Sequence, residues 1–245
     1  MDFAIIAAGE GSRLVQEGIT TPKPLIRIQG VPLIERLICI FLRNGASSVS
    51  VIVNEEMKEV QKFLKSMQLP VPFYLHIQST PSSMHSFYAL SRYLKNDRFC
   101  LTTVDPIFRE EEFGGYIQAF QNDDKIDGLM AVTDFVDDEK PLYVKTDSDL
   151  KILEFGSSRF KVQGSKFKDD LDYVSGGIYC LRQSAIRVLE NAMTEGISRM
   201  RNYQRMLITD GLYLKAYPFF KIIDVDHAAD IAKAETFLTE KNGKS

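Results

Sequence analysis

The sequence lacks tryptophan and has only three cysteines, Cys39, Cys100 and Cys180, in 245 residues. The cysteines are far apart, odd in number and form no Cys-x-x-Cys pair, so we expect a reducing compartment and no disulfide framework. No apolar run reaches the ~18 residues of a membrane-spanning helix, and the acidic, strand-like N-terminus does not resemble a signal peptide. We therefore expect a cytoplasmic protein without a membrane segment.

The chain also lacks a large excess of charge of either sign. The 30 basic and 33 acidic residues give a net charge of −3, without the basic excess of a nucleic-acid or membrane surface. A small anionic ligand bound by a few local cations stays possible. The three histidines, His76, His85 and His227, lack the spacing of zinc ligands, and no Gly-x-Ser-x-Gly motif supports hydrolase chemistry.

The first half of the chain alternates strand and helix patterns. Apolar strand patterns are predicted at 3–7, 49–53, 73–77 and 99–104, with helical spacing between them at 31–44, after residue 54 and at 83–95. This alternation predicts a mostly parallel sheet with helices on both faces. Ligands in such folds bind at the carboxyl ends of strands, where the loop 9–23 and Asp105 lie.

The second half is less regular. It predicts a strand at 128–133, a hairpin over 142–155, a polar loop at 159–172, a strand at 173–181, helices at 183–195 and 198–209, two short strands and a final helix at 227–239. There is no repeat, low-complexity tract or long linker. We therefore expect a single domain over residues 1–245.

The loop after the first strand carries two glycines and two cations. Gly9 and Gly11 let the backbone approach a ligand and turn N–H groups toward an anion, and the Arg13 guanidinium suits phosphate. Lys23 follows between two prolines, which stiffen the backbone and restrict the lysine to an extended conformation. Two cations in one loop suit a triphosphate; the alternatives are an ordinary glycine-rich turn and a solvated lysine.

These motifs carry a family resemblance. Ala-Ala-Gly-x-Gly-x-Arg-Leu at 7–14, Pro-Lys-Pro-Leu at 22–25 and Gly-x-Pro-Leu at 30–33 resemble the signature of the nucleotidyltransferase superfamily with the nucleotide-diphospho-sugar transferase fold. Residues 103–105, 173–179 and 223–231 resemble further segments of it. The resemblance implies a three-layer α/β/α, Rossmann-like (GT-A-like) fold with a mixed, mostly parallel central sheet. It also implies that residues 1–110 form the nucleotide-binding half and 111–245 the acceptor-binding half.

The resemblance implies a nucleotide site in the first half. Arg13 and Lys23 would be catalytic, and the remaining nucleotide-binding residues would be Ala7, Ala8, Gly9, Gly11, Ser12, Thr80, Ser82 and Ser83. Ser82-Ser83 replaces the Gly-Thr that related enzymes carry near the base, and we favour a pyrimidine there.

Paired carboxylates would hold Mg²⁺. Asp105 and Asp224 are the preferred ligands and Asp226 is the alternate, since Mg²⁺ takes hard oxygen ligands. Asp105 has the alternative of a turn residue before Pro106, and Asp226 that of a helix N-cap.

The acceptor side departs from the family pattern. Related enzymes carry Glu-Lys-Pro after the hairpin, whereas residues 154–158 contain no lysine. Lys145, or Arg159 and Lys161, would supply the missing charge, with Ser175 and Gly177 on the substrate strand.

The predicted reaction is Mg²⁺-dependent transfer of a nucleoside monophosphate from a nucleoside triphosphate to a sugar 1-phosphate, releasing pyrophosphate. One alternative is a non-sugar acceptor such as phosphocholine, which an aromatic cage near Tyr143 or Tyr173 would favour, or a pterin phosphate. Another is an inactive nucleotide-binding regulator. The sequence also leaves the oligomeric state open, a homo-oligomer included.

Overall fold

A nine-stranded mixed sheet forms the centre of the fold. The computed structural model describes residues 1–137, 139–156, 158 and 173–240. The strands are β1 Asp2–Ile6, β2 Arg27–Ile28, β3 Val31–Pro32, β4 Ser48–Val53, β5 Phe73–Ile77, β6 Arg98–Thr103, β7 Pro106–Ile107, β8 Gly128–Thr133, β9 Tyr143–Thr146, β10 Ile152–Gly156, β11 Tyr173–Arg182, β12 Leu214–Pro218 and β13 Ile223–Asp224. The helices are α1 Ser12–Gln16, α2 Leu33–Arg43, α3 Lys58–Ser66, α4 Ser83–Ser91, α5 Glu110–Asn122, α6 Gln183–Thr194, α7 Met200–Thr209 and α8 Ala228–Thr239.

The sheet is mostly parallel. Its strand order is β10-β9-β11-β6-β1-β4-β5, and β8 pairs with both β11 and β12. The strands of the first half run parallel, whereas β11 is antiparallel to β6, β8 and β9. Only β10 and β11 therefore run against the other seven described strands of this sheet. The carboxyl ends of β1 and β6 meet at one edge, which is where ligands bind in such folds.

Alternation along β1 divides the core in two. Phe3 and Ile5 face the apolar cluster that includes Phe41 of α2 and Phe113 of α5, whereas Ala4 and Ile6 face the cluster on the opposite side. That second cluster contains buried side chains of α4, α6 and α7. Successive side chains of a strand point to opposite faces, so a strand buried on both sides needs a helical layer on each. The predicted three-layer α/β/α architecture is confirmed.

The predicted start of one helix differs from the structure. The helix predicted over 31–44 begins at Leu33, because Val31–Pro32 pairs with Arg27–Ile28 as a short ladder. Proline lacks an N–H and is tolerated where the helix starts. The predicted hairpin is present as the antiparallel pair β9–β10. The predicted loop at 159–172 lies outside the described residues. Among the described helices, none has the length and hydrophobicity to cross a bilayer.

Asp2 fastens the start of β1 to its neighbours. Its buried carboxylate accepts hydrogen bonds from Ser48 Oγ at 2.7 Å and from the backbone N–H groups of Lys95 and Asn96 at 2.7 and 2.8 Å. Burial by itself raises the pKa of this carboxyl, but the donors from Asn96, Ser48 and Lys95 outweigh it and hold the pKa below its ordinary value. The charged form is therefore the one that stabilises the fold.

We expect Asp2→Ala to lower the free energy of unfolding by about 2 kcal/mol at pH 7, since several donors lose a charged acceptor. Because the folded-state pKa is lowered, the contribution of Asp2 is present above the unfolded-state pKa and is lost as the pH falls through the folded-state value. Urea denaturation of wild type and Asp2→Ala at pH 7 and at acid pH measures this. The exposed Asp149→Ala is the control. A difference that grows in acid would contradict the assignment.

Candidate active site

The loop after β1 is shaped by a left-handed glycine. Gly11 has φ 63°, directly before α1, and a Cβ at this position would lie 3.2 Å from Cβ of Lys23. Glycine is therefore favoured by both the backbone conformation and the close approach of the lysine segment. This packing brings the two ends of the loop together, so that Arg13 and Lys23 reach the same place.

Lys23 does not adopt the extended conformation that its flanking prolines predicted. It begins one turn of 3₁₀ helix, with Leu25 N–H donating to Pro22 O at 2.8 Å. The expectation was wrong because the restriction imposed by Pro24 is a bias, which the hydrogen-bonded turn overrides. The prolines still place the lysine firmly, and Lys23 is only 9% exposed.

The ammonium of Lys23 joins two carboxylates. Its Nζ donates to Asp105 Oδ2 at 2.5 Å and to Asp226 Oδ1 at 2.6 Å. Burial opposes the charge of the lysine, but the two carboxylates outweigh it and raise the Lys23 pKa. Burial likewise acts against the charge of Asp105, and the nearby ammonium lowers its pKa. Both groups are therefore charged near neutral pH, in a region largely screened from water.

Asp226 also accepts a hydrogen bond from Arg13. Arg13 Nη1 donates to Asp226 Oδ2 at 2.7 Å, so one carboxylate collects both cations of the loop. The helix-cap alternative for Asp226 is wrong. The N-cap of α8 is His227, and the carboxylate of Asp230 accepts the backbone N–H groups of Asp226 and His227 at 3.1 and 2.7 Å.

A small ladder brings Asp224 beside Asp105. Pro106–Ile107 pairs antiparallel with Ile223–Asp224, and Val225 N–H donates to Asp105 O at 3.2 Å. Residues 116 and 118 positions apart in the chain thus pair at one strand end. A short strand is predicted at 221–225, but two-residue strands show no periodic pattern, so its pairing with Pro106–Ile107 is not predictable from the sequence.

Carboxylate oxygens from two directions converge on one cation here. Asp105 and Asp226 are the two that share the Lys23 ammonium, whereas Asp224 joins them through backbone pairing. Within the described ranges, no cluster of three histidine, cysteine or acidic side chains forms a metal site. The assignment of metal ligands among these aspartates stays a prediction.

A cavity of about 870 Å³ opens beside the lysine. Most predicted nucleotide-binding residues line it, namely Ala8, Gly9, Gly11, Ser12, Arg13, Thr80, Ser82 and Ser83, together with Lys23, Asp105 and Asp226. Ala7 does not line this cavity. It is 1% exposed, and its N–H donates to Ile52 O at 2.9 Å, continuing the β1–β4 ladder beneath the loop.

A second cavity of about 510 Å³ lies against the first. Ser82, Ser83, Thr103 and Asp105 line both cavities and so form a shared wall. Ser175 and Gly177, predicted for the acceptor, line the second cavity with Asp224, Tyr179 and Gln204. Burial raises the pKa of Tyr179 to about 12, and the carboxylates of Asp224 and Asp105 add to the effect, so its hydroxyl keeps its proton at neutral pH.

The cations of the second cavity differ from the prediction. Lys145 is exposed on β9 and does not line the cavity, and Arg159 and Lys161 lie outside the described residues. Lys140, Arg199 and Arg201 line it instead. Sequence analysis missed them, although two arginines flanking Met200 at the start of a predicted helix were a usable signal.

Fold and site together define an α/β domain of the nucleotide-diphospho-sugar transferase type, with cations and carboxylates gathered at the strand ends. The chain belongs to the MobA-like NTP transferase domain family, whose profile matches residues 3–164. Family membership confirms the predicted superfamily and the predicted enzyme class, a nucleotidyltransferase.

Similar proteins match this chain over different lengths. The bifunctional protein GlmU of Thermodesulfovibrio yellowstonii is 26% identical over 255 residues, covering 98% of this chain and 53% of that protein. A 2-aminoethylphosphonate cytidylyltransferase from Lancefieldella rimae is 30% identical over 111 residues, 44% of each chain. The chain spans about half the length of the GlmU relatives that it matches.

Solved structures share the fold. A putative glucose-1-phosphate thymidylyltransferase from Bacillus anthracis superimposes with TM-score 0.80 at 21% identity, covering 100% of this chain and 98% of that one. The inositol-1-phosphate CTP transferase from T. maritima gives TM-score 0.76 at 17% identity, covering 99% and 97%. The predicted fold is confirmed.

We expect the effects of substituting Lys23 and Asp105 on stability to be strongly coupled. We expect Lys23→Met to lower the free energy of unfolding by about 3 kcal/mol, because it leaves a largely buried carboxylate without its cation. Adding Asp105→Asn removes that charge, so the double variant is expected to lose less than the sum of the single losses, by at least about 1 kcal/mol.

The exposed pair Lys233–Asp137, at 2.7 Å, is the matched control. Lys233→Met and Asp137→Asn are expected to couple by less than about 0.5 kcal/mol. Urea denaturation of both sets of variants gives the two coupling energies. Equal couplings for the two pairs would show that the Lys23 pair is no stronger than a surface contact.

Proposed function

We propose that this protein transfers a nucleoside monophosphate from a nucleoside triphosphate to a phosphorylated small molecule, a sugar 1-phosphate, and releases pyrophosphate. The observation that supports this proposal most is the position of Lys23. Its ammonium contacts Asp105, which belongs to the wall shared by the two cavities. A reaction between two bound phosphates needs a positive charge at the place where they meet.

The two cavities support a division of labour between the halves of the chain. The larger cavity is lined mainly by residues before 110, and we assign it to the nucleotide. The second cavity also draws on residues between 140 and 224, and we assign it to the acceptor. Thr80, Ser82 and Ser83 would face the base, for which we keep the expectation of a pyrimidine. One structural neighbour is named as a CTP transferase, in agreement with that choice.

In this reaction an oxygen of the acceptor phosphate attacks the α-phosphorus, and the bond from that phosphorus to the bridging oxygen of the β-phosphate breaks. Arg13 would bind the β- and γ-phosphates and so stabilise the leaving pyrophosphate, while Lys23 would bridge the α-phosphate and the acceptor. A phosphate acceptor is already anionic, so the attack needs no general base.

The donor set fits Mg²⁺. Asp105 and Asp226 place hard carboxylate oxygens around one cation, the Lys23 ammonium, and Asp224 lies next to Asp105. We propose that Asp105 holds the ion together with Asp226 or Asp224. When bound, Mg²⁺ supplies charge neutralisation to the phosphate oxygens. Arg13 and Lys23 would then be released from Asp226 toward the nucleotide.

The sugar 1-phosphate is favoured over phosphocholine by one observation. Tyr143 and Tyr173 do not line the acceptor cavity, so the aromatic cage that would favour a choline group is absent from its described lining. The resulting product would be a nucleotide sugar, which places the protein in nucleotide-sugar biosynthesis. The similarity to a 2-aminoethylphosphonate cytidylyltransferase keeps a non-sugar acceptor in the assay panel.

The proposal predicts turnover that depends on Lys23. Incubation with each nucleoside triphosphate, Mg²⁺ and a panel of sugar 1-phosphates, phosphocholine and aminoethylphosphonate is expected to release pyrophosphate for at least one pair. Lys23→Ala is expected to lower kcat/KM by about 10²-fold or more, as for removal of a preorganised charge stabiliser. Lys62→Ala, on the exposed face of α3, is the control. Normal turnover by both Lys23→Ala and Asp105→Asn would refute the site.

Metal removal gives a further test. Activity is expected to fall to background when EDTA is added and to return with excess Mg²⁺. Calorimetry with a nucleoside triphosphate, with and without Mg²⁺, separates an enzyme from a regulator. A nucleotide affinity that is the same with and without Mg²⁺, together with no turnover on any acceptor, would favour the regulator over the enzyme.

A further inference from the structure

The cationic lining of the acceptor cavity extends the proposed function and rests on it. Lys140, Arg199 and Arg201 line this cavity but not the nucleotide cavity. The reacting phosphates must meet at the shared wall. Lys23 contacts this wall through its hydrogen bond to Asp105. The three cations therefore line a part of the acceptor cavity that does not belong to the shared wall.

Two of these cations lie at the start of helix α7, Arg199 as its N-cap residue and Arg201 in its first turn, and the helix is held by the core. Tyr203 and Leu207 are buried in the core, and Tyr203 Oη donates to Ala185 O at 2.9 Å. Gln204, one turn beyond Arg201, is 2% exposed, and its Nε2 donates to Ser175 Oγ at 3.4 Å. Residues three apart on a helix share a face, so Arg201 and Gln204 border the same cavity.

Arg201 also contacts the backbone of the segment that carries the third cation. Its Nη2 donates to the backbone O of Lys140 at 3.3 Å, which ties the segment before β9 to the start of α7. Lys140 itself is exposed at the cavity. Three cationic side chains from two separate parts of the chain therefore line the same cavity.

The charge of the two arginines is available to a ligand. Arg13, Arg43, Arg98 and Arg182 each form a salt bridge with a carboxylate. In the part of the chain that the structure describes, neither Arg199 nor Arg201 has a carboxylate partner. A guanidinium that borders a cavity without such a partner favours an anion from the ligand.

We infer that Arg199 and Arg201, which line the cavity beside Lys140, select an acceptor with a negative charge remote from its reacting phosphate, a carboxylate or a second phosphate. The same cations repel a positively charged acceptor. The group is thus a specificity determinant of the proposed reaction. It takes no part in the bond changes at the α-phosphorus.

The test compares acceptors that differ in one substituent. Glucuronic acid 1-phosphate and glucose 1,6-bisphosphate are the anionic probes, glucose 1-phosphate is neutral at the remote end, and 6-amino-6-deoxyglucose 1-phosphate is cationic there. We expect KM to be at least about tenfold lower for an anionic probe than for glucose 1-phosphate. An equal or better KM for the cationic probe would overturn the inference.

Variants assign the effect to the named residues. Arg199→Gln and Arg201→Gln are expected to raise KM for the anionic probe about tenfold and to leave KM for the nucleoside triphosphate and for glucose 1-phosphate within about twofold. Arg201→Lys, which keeps the charge, is expected to restore part of the preference. Arg187→Gln, on the exposed face of α6, is the control. A rise in KM of equal size for neutral and anionic acceptors would show that the arginines bind the reacting phosphate instead.

Calorimetric binding of glucuronic acid 1-phosphate, compared between wild type and Arg199→Gln, tests the inference independently of turnover. Weaker binding to the variant supports it, and equal binding overturns it. Failure of every nucleoside triphosphate and acceptor to react would refute the proposed function alone, since the binding comparison still decides the role of the arginines.

Discussion

The ammonium of Lys23 between Asp105 and Asp226 is the contact on which the arrangement of the site depends. It joins the loop after β1, the end of β6 and the segment before α8, which are separated by 82 and 203 residues from the lysine. Carboxylates brought together in a region of low water content repel each other, and a cation between them offsets that repulsion. The loop that carries this cation is thereby held against the ends of the strands.

The rest of the fold supplies what this contact needs. Parallel β1 and β6 bring Asp105 beside the glycine loop, and the β7–β13 ladder returns the end of the chain to the same edge. Cores on both faces of the sheet keep these strand ends fixed, because close-packed interiors resist displacement. Asp230 caps α8 and leaves the carboxylate of Asp226 to face Arg13 and Lys23.

Charge is distributed unevenly between the two cavities. At the shared wall, carboxylates and cations of the loop are paired, which suits a site that exchanges these partners for a metal and a triphosphate. In the acceptor cavity, Arg199 and Arg201 have no carboxylate among the described residues. The net charge of −3 for the whole chain does not reveal this local group of cations. Composition excludes a broad basic surface, but it carries no information about a few residues that the fold gathers.

The sequence by itself determined the class of fold, the glycine loop that carries Arg13 and Lys23, and Asp105 at a strand end. These are local features: periodicity within one element, two glycines in one turn, and a carboxylate directly after an apolar run. Tertiary structure alone decided that Asp226 faces Lys23 rather than capping α8, that Ala7 lies beneath the loop, and that Lys140, Arg199 and Arg201 replace Lys145 at the acceptor cavity. Each of these depends on pairings across a hundred residues or more, or on which face of an element a side chain takes, and no local pattern encodes such distances.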